Sequence, residues 1–198
     1  SRGLGDVYKR QGQISPWNYP LALGISDAIA ALIAGNAVVA KPDWSTPFSN
    51  LISLRLLQEA GLPHDVLQIV TGSGEVVGGA ISQKCDYLMF TGSTQTGKIL
   101  GKTVGERLVG YSAELGGKNP MIIAPDADIE KHIDTIATAC FSNSGQLCVS
   151  IERIYVPESI YDEFLRAFQR ATESIVLGKG LNWGYTMGSL IGPEPVSY

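Results

Sequence analysis

Short apolar runs alternate with helix-length segments along most of this sequence, and this alternation most constrains the fold. Residues 37–41, 66–70 and 87–91 form apolar runs of strand length, and each precedes a segment with helix start or stop signals. This pattern is typical of βαβ units, in which consecutive strands lie parallel and helices cover the sheet. The sequence therefore predicts an α/β fold with a mostly parallel sheet and flanking helices.

The remaining elements are predicted from the same signals. A first strand is predicted to end near residues 14–15, and later strands are predicted at 108–114, 121–124 and 151–156. Helices are predicted at 21–34, 74–82, 94–104, 128–141 and 159–175. One more helix is predicted to begin at Ser45-Thr46-Pro47, which is typical of a cap followed by a first-turn proline, and to end at Gly61. Ligands bind beyond the carboxyl ends of parallel strands, so the loops at 41–46, 71–74 and 91–97 are the expected site.

Composition excludes several classes of protein. Hydrophobic residues make up 44% of the 198 residues and charged residues 17%, the reverse of a disordered chain. The formal net charge is -4 and no basic cluster is present, so nucleic acid is not an expected partner. Three cysteines and two histidines fit neither a disulfide framework nor a metal site, which indicates free thiols in a reducing cytoplasm.

Two segments need separate interpretation. Residues 21–40 are almost wholly apolar, but Asp27 and Gly35 interrupt them, so a helix and a buried strand are expected rather than a membrane span. Residues 1–11 fit poorly with the downstream part of the chain and are predicted to be a non-native leader outside the fold. Beyond Gly178 the sequence becomes loop-like and ends without a capping element, and truncation at both ends is expected.

Glycine-rich turns come after two of the predicted strands. Residues 92–98 match the first seven positions of a phosphate-binding P-loop, but Ile99 stands where a magnesium-binding Ser or Thr is required. Residues 72–78 nearly match a dinucleotide fingerprint, with the third glycine one position late. Each turn alone is as well explained by an ordinary strand-to-helix turn, whereas both together with Lys41 favour a nucleotide.

Three side chains are candidates for chemistry. Cys148 lies in a loop of small residues that would admit a substrate, although a free cysteine is more often a buried structural residue, as assumed for Cys85 and Cys140. Glu114 ends an apolar strand and could act as a general base, although a surface carboxylate is commoner. Asn18 could donate to an oxyanion or simply cap a helix.

Five motifs stand in order from about residue 12 to the end of the chain, and together they resemble the aldehyde dehydrogenase superfamily. They are Pro16-Trp17-Asn18-Tyr19-Pro20, Lys41-Pro42, Phe90-Thr91-Gly92-Ser93-Thr94 with Gly97, Glu114-Leu115-Gly116-Gly117-Lys118, and Gly145-Gln146 with Cys148. The string from 141 to 153 is most similar to succinate-semialdehyde dehydrogenases. The resemblance implies a Rossmann-like cofactor domain at 12–115 and the start of an α/β catalytic domain at 116–198.

The resemblance also assigns roles. Cys148 would be the nucleophile that attacks an aldehyde, with the Asn18 side chain and the Cys148 N–H holding the oxyanion. Hydride transfer to NAD(P) would leave a thioester, and Glu114 would activate the water that hydrolyses it. Cofactor contacts would fall on Trp17, Lys41, Gly92, Ser93, Gly97 and Leu115. A homo-oligomer is expected for the intact protein, and no metal is implied.

Two positions depart from the family pattern. Trp44 stands where NAD-preferring members carry a glutamate that binds the adenosine ribose, so repulsion of a 2′-phosphate is missing and NADP is favoured slightly over NAD. Asp27 stands where many members carry a lysine proposed to relay protons. Three alternatives remain open from the sequence: a CoA-acylating relative, a P-loop nucleotide-binding module, and a catalytically silent dinucleotide-binding fragment.

Overall fold

The computed structural model describes residues 10–181 and 183–192, which form two compact units. The first unit ends at Gly116 and the second begins at Gly117, one residue beyond the predicted domain boundary. Each unit has its own sheet and its own core.

The first unit is a five-stranded parallel sheet with helices on both faces. Its elements are β1 (Arg10–Ile14), α1 (Pro20–Ile33), β2 (Ala37–Lys41), α2 (Pro47–Glu59), β3 (Leu67–Ile69), α3 (Gly79–Lys84), β4 (Tyr87–Thr91), α4 (Thr94–Glu106) and β5 (Gly110–Glu114). The strand order is β3-β2-β1-β4-β5, the Rossmann order over its first five strands. The predicted α/β class and parallel sheet are confirmed.

Two apolar clusters hold this sheet between its helices. One packs Leu88 and Phe90 of β4 against α3 and α4, and includes the buried Cys85. The other packs Val38 and Ala40 of β2 against α1, with Leu67 of β3. Alternate residues of each strand thus face opposite sides of the sheet, as expected for strands covered on both faces.

The second unit is smaller and contains a two-stranded parallel sheet. Its elements are β6 (Asn119–Ile122), α5 (Ile129–Phe141), β7 (Ile151–Tyr155) and α6 (Tyr161–Glu173), with a 3-10 turn at Ser142–Gly145. Ile129, Ile133, Phe164 and Ala167 form the core of α5 and α6. A two-stranded sheet is marginal alone, so this packing against helices supplies its stability.

Several predicted boundaries are wrong. Arg10 and Gln11, assigned to the leader, lie in β1, where Arg10 is held by Asp86 through a backbone and a side-chain hydrogen bond. The leader prediction for residues 1–9 falls outside the described part of the chain. β5 begins at Gly110 rather than 108 because Leu108 adopts a left-handed φ of 55°, inside the turn that ends α4.

Three further predictions about how elements begin are wrong. β6 begins at Asn119, two residues early. The helix predicted at 74–82 opens as a π-helical turn at Gly74–Gly78 before α3. Thr46 does not cap α2 with its side chain, since its hydroxyl donates to the Trp17 carbonyl oxygen at 3.5 Å. Pro47 opens α2 as expected.

Candidate functional site

The carboxyl ends of four strands meet at one edge of the first unit's sheet. Ile14 of β1 pairs with Lys41 of β2 on one side and with Phe90 of β4 on the other. Thr91 of β4 pairs with Glu114 of β5. The strand order reverses between β1 and β4, and such a reversal opens a crevice that binds ligands in doubly wound folds. The predicted loops after these strands therefore share one edge.

The turn between β4 and α4 is a well-formed helix start. The Ser93 hydroxyl accepts the Thr96 N–H at 3.2 Å, and the Ser93 carbonyl accepts the Gly97 N–H at 2.9 Å. The N–H groups of Thr94 and Gln95 have no acceptor within a helix that starts here. They point along the positive end of the helix dipole, where an anion such as a phosphate is stabilised.

Close packing explains the two glycines of this turn. A Cβ atom on Gly92 would lie 2.6 Å from the Phe90 ring, and one on Gly97 would lie 2.6 Å from Leu115 Cδ2. Any side chain here would push the turn away from the strands beneath it. Gly92, Gly97 and Leu115, predicted to contact a cofactor, thus have a first role in seating α4 on the sheet.

Lys41 is a buried cation at the end of β2. Its exposure is 4%, and its Nζ donates to the Pro42 carbonyl oxygen at 2.8 Å. Burial lowers the pKa of this ammonium, while the negative charge of Asp43 acts in the opposite direction. A buried ammonium beside the crevice is a strong attractor for an anionic ligand, because little water screens it.

The two tryptophans predicted for the cofactor site, Trp17 and Trp44, lie in the loops that follow β1 and β2. Trp44 is 76% exposed, just before α2, so its side chain covers no core of this unit. Trp17 is half-buried, and its carbonyl oxygen accepts the Thr46 hydroxyl. That bond joins the loop after β1 to the loop after β2, so the predicted Trp17 and Lys41 segments are held together.

Asn18 lies in the loop after β1, and Glu114 ends β5. The Asn18 Oδ1 accepts the Tyr19 N–H at 3.1 Å, so the oxygen of this amide is engaged locally. Tyr19 rather than Asn18 occupies the N-cap of α1, and the Tyr19 side chain makes no capping hydrogen bond. Glu114 is exposed, as a water-activating base should be.

Asp27 of α1 lies in the electrostatic field of Glu114. Both side chains line one groove of the first unit, together with Thr91 and Ser112. Burial raises the pKa of Asp27, and the negative charge of Glu114 raises it further. The sequence singled out Asp27 only as a departure from the family pattern, and its coupling to Glu114 emerges from the fold.

The Cys148 loop belongs to the second unit and has an irregular backbone. Asn143, Ser144 and Gly145 have consecutive left-handed φ angles of 52°, 59° and 73°. Such angles cost energy for residues other than glycine and persist only where surrounding contacts impose them. The Ser144 hydroxyl donates to the Gly188 carbonyl at 2.9 Å, which is one such contact.

Further hydrogen bonds fix the loop on either side of the half-buried Cys148. The Ser150 hydroxyl, itself buried, donates to the Cys140 carbonyl at 2.8 Å in the last turn of α5. Asn119 Nδ2 donates to the carbonyls of Cys148 and Ser150 at 2.6 and 2.9 Å. Sequence reasoning missed Asn119 and Ser150; an amide that opens a strand shortly after two glycines was the available signal.

The other two cysteines lie in regular elements or in the core. Cys85 is buried in the core of the first unit, whereas Cys140 lies on α5 and is half-buried, as Cys148 is. Burial raises the pKa of both thiols, so each holds its proton to higher pH than an exposed cysteine. Cys85 fits the structural role predicted for it, and the same assignment for Cys140 stays a prediction.

Neither a metal-binding cluster nor a membrane-spanning helix occurs in the described residues. Within residues 10–181 and 183–192, no three His, Cys, Asp or Glu side chains are grouped so that they could hold a metal ion. Over the same described part of the chain, no helix combines the length and apolar character needed to cross a membrane.

The sequence profile of the Aldehyde dehydrogenase family matches residues 10–197. The chain therefore belongs to the aldehyde dehydrogenase family. It is 54% identical over 185 residues to an inferred NADP+-dependent succinate-semialdehyde dehydrogenase of Mycolicibacterium smegmatis, a match that covers 93% of this chain and 36% of the relative.

Solved structures agree with this assignment. An Escherichia coli NADP-dependent enzyme superposes with a TM-score of 0.92 at 38% identity, covering 95% of this chain and 40% of that one. Betaine aldehyde dehydrogenase from Staphylococcus aureus, solved with NAD+, gives 0.88 at 35% identity, covering 93% and 37%. The chain thus spans between a third and two fifths of the length of the relatives it matches.

Proposed function

We propose that the intact protein oxidises an aldehyde to a carboxylic acid with NADP+ or NAD+ as the acceptor. The observation that carries the proposal is the half-buried Cys148 on a loop anchored by Asn119 and Ser150, within a chain that belongs to the aldehyde dehydrogenase family. A nucleophile needs such a fixed, accessible setting, whereas a structural cysteine is normally buried in apolar surroundings.

The residues at the sheet edge fit a dinucleotide. The start of α4 offers N–H groups to a phosphate, and the buried Lys41 supplies a positive charge close to the end of β2. A bound nicotinamide cofactor would supply a hydride acceptor. Ser93 keeps the start of α4 in shape, and Gly92 and Gly97 keep that helix close to the strands.

The chemistry of the protein's own residues then has two stages. Cys148 Sγ adds to the aldehyde carbon, and the new oxyanion is held by the Asn18 side chain and the Cys148 N–H. Loss of hydride from that carbon leaves a thioester on Cys148. Glu114 takes a proton from water, whose oxygen attacks the thioester; the acid departs and the Cys148 thiolate is restored.

NADP is the proposed preference of the intact protein. At the position where a glutamate would repel a 2′-phosphate, the chain has the exposed Trp44. The Lys41 ammonium could pair with that phosphate, a charge-assisted bond of about 1.5–3 kcal/mol when partly desolvated. The name of the Mycolicibacterium smegmatis relative specifies NADP+, which points in the same direction.

Succinate semialdehyde is the proposed substrate, since several of the most similar relatives carry that name. We place the protein in the cytoplasm as a homo-oligomer, on the grounds of its free thiols and of the family resemblance.

The test measures reduced cofactor and acid formation by the purified intact protein, with succinate semialdehyde and with an aromatic aldehyde. We expect acid as the product without CoA. Formation of an acyl-CoA only when CoA is added would contradict the hydrolytic role of Glu114. Lack of any aldehyde-dependent cofactor reduction would overturn the proposed function.

A further inference from the structure

Asn119 connects the start of the second unit to the Cys148 loop through side-chain hydrogen bonds. It is half-buried at the first position of β6. Its side-chain nitrogen donates to two carbonyls that flank Val149, at 2.6 Å for Cys148 and 2.9 Å for Ser150. The pairing of β6 with β7 shifts between Asn119 and Pro120, so the side chain bonds at a point where the backbone ladder is irregular.

Asn119 holds one of the two peptide units that join Cys148 to its neighbours, and Ser150, whose carbonyl Asn119 also binds, holds the other. The Ser150 N–H donates to the Leu147 carbonyl at 3.2 Å, and that carbonyl shares a rigid plane with the Cys148 N–H. Asn119 holds the Cys148 carbonyl, which fixes the next plane. With both planes fixed, the Cα–Cβ bond of Cys148 and the direction of its N–H are fixed as well.

The chemistry of a primary amide suits this task. Its nitrogen carries two N–H groups, and the two carbonyls provide one acceptor for each. A carboxylate of the same shape would present only acceptors to the same two carbonyls. A serine hydroxyl could donate to one carbonyl at most.

We propose that Asn119 is a positioning residue for the nucleophile: it orients Cys148 so that the thiol and the Cys148 N–H act on the same substrate carbonyl. The proposal rests on the proposed function only in naming Cys148 as the nucleophile. Asn119 acts directly on the peptide unit that follows Cys148, and through Ser150 on the unit that precedes it, rather than by touching substrate. The two carbonyls that it holds both belong to the second unit, apart from the cofactor residues of the first.

The experiment compares Asn119→Asp and Asn119→Ser with wild type in the intact protein. Gln169→Glu is the matched control, since it makes the same amide-to-carboxylate change on the exposed face of α6. Three quantities are measured: the kcat and KM for aldehyde and cofactor, the melting temperature, and the pH profile of Cys148 alkylation by iodoacetamide. Alkylation is followed by mass spectrometry, with Cys140 as the internal reference.

We expect Asn119→Asp to lower kcat by at least about tenfold with the cofactor KM unchanged within about twofold, because misorientation of a reacting group affects kcat first. The added carboxylate should also move the alkylation profile of Cys148, but not of Cys140, to higher pH. Asn119→Ser keeps one donor and adds no charge, so its kcat should fall less and its profile should stay in place. Gln169→Glu loses its bond to Glu173, so its melting temperature should fall slightly while its kinetics and alkylation profile resemble those of wild type.

Two results would overturn the proposal. One is wild-type kcat and a wild-type Cys148 alkylation profile in Asn119→Asp or, if that variant does not fold, undiminished kcat in Asn119→Ser. The other is a lower kcat that is accompanied by a similar fold loss of cofactor affinity and by a lower melting temperature. That combination would indicate a general structural role. If the wild-type protein does not oxidise aldehydes, the proposed function is refuted. Alkylation of Cys148 needs no turnover, so its pH profile in the variants still tests the role of Asn119.

Discussion

The turn at residues 91–97 and the loop at residues 142–150 carry the two halves of the proposed chemistry, and they are built in opposite ways. The turn precedes a helix, and the hydrogen bonds of its own side chains run between Ser93 and Thr96, within a single helical turn, while its backbone also bonds to Tyr111 and Glu114 of β5. The loop comes after a helix, and its contacts reach Asn119 and Gly188, far away in the sequence.

The geometry of each region is fixed by a different kind of contact. An anion cradle needs only a helix start and room for backbone approach, which a few adjacent residues can supply. An oriented nucleophile needs a backbone held against its preferences, and long-range contacts must supply that. Variants that separate the two regions are therefore the sharpest tests.

The largest expected effect is that of Cys148→Ala. Aldehyde oxidation by the intact protein should fall by at least about a thousandfold, because no other group in the proposed site replaces the nucleophile. Cofactor affinity, measured by fluorescence titration, should change by less than about twofold, since those contacts lie in the first unit. Cys140→Ala is the control and should stay active. Near-normal oxidation by Cys148→Ala would refute the assignment of Cys148 as the nucleophile.

Glu114→Gln should reduce steady-state turnover by about a hundredfold, the usual contribution of a general base. The first burst of reduced cofactor should survive, because hydride transfer precedes water activation. Stopped-flow measurement resolves the two phases. Glu106→Gln, the same change at the end of α4, serves as the control. Loss of the burst with unchanged later turnover would contradict the assigned role.

Trp44→Glu tests cofactor choice in the first region alone. The ratio of kcat/KM for NADP to that for NAD should drop by about tenfold or more, because the new carboxylate would repel the 2′-phosphate. Trp44→Gln removes the ring without adding charge and should move the ratio less. If wild type already strongly prefers NAD, or if the glutamate leaves the ratio unchanged, the proposed preference is wrong.

Ser93→Ala should have the smallest effect. Loss of this cap should lower the free energy of unfolding by about 1 kcal/mol and weaken cofactor binding several-fold. The alkylation rate of Cys148 should stay unchanged, which keeps the two regions separate. Thr103→Ala removes a hydroxyl bonded within α4 rather than at its cap, and should leave cofactor binding intact. A change in Cys148 reactivity in Ser93→Ala would mean that the regions are coupled.

Much of the sheet could be predicted from the sequence. The predicted strands at 37–41 and 87–91 coincide with β2 and β4, because apolar runs bounded by turn residues leave little choice. The start of β5 could not be placed, since the left-handed Leu108 belongs to the turn that ends α4. Thr46 looked like a cap in sequence, yet its hydroxyl bonds to Trp17 in another loop.

The candidate site likewise has residues that the sequence predicts and contacts that it does not. Residue types and their order in the motifs predicted Cys148, Glu114 and the glycine turn as site residues, and these roles stay predictions. The contacts of Asn119 and Ser150 were out of reach, because each depends on segments that only the fold brings together. The electrostatic coupling of Asp27 to Glu114 has the same origin.

The central position of β1 has a consequence for how the first unit folds. β1 pairs with β2 soon after it in the chain, but its other partner, β4, comes only after two more helices and another strand. Contacts of such long sequence separation form late, so one edge of β1 stays open while the chain collapses. Gln13, buried in the finished sheet, places an amide in the middle of that strand. Its side-chain nitrogen donates to the Leu23 carbonyl oxygen of α1 at 2.9 Å, a bond that can form before β4 arrives because α1 comes next in the chain.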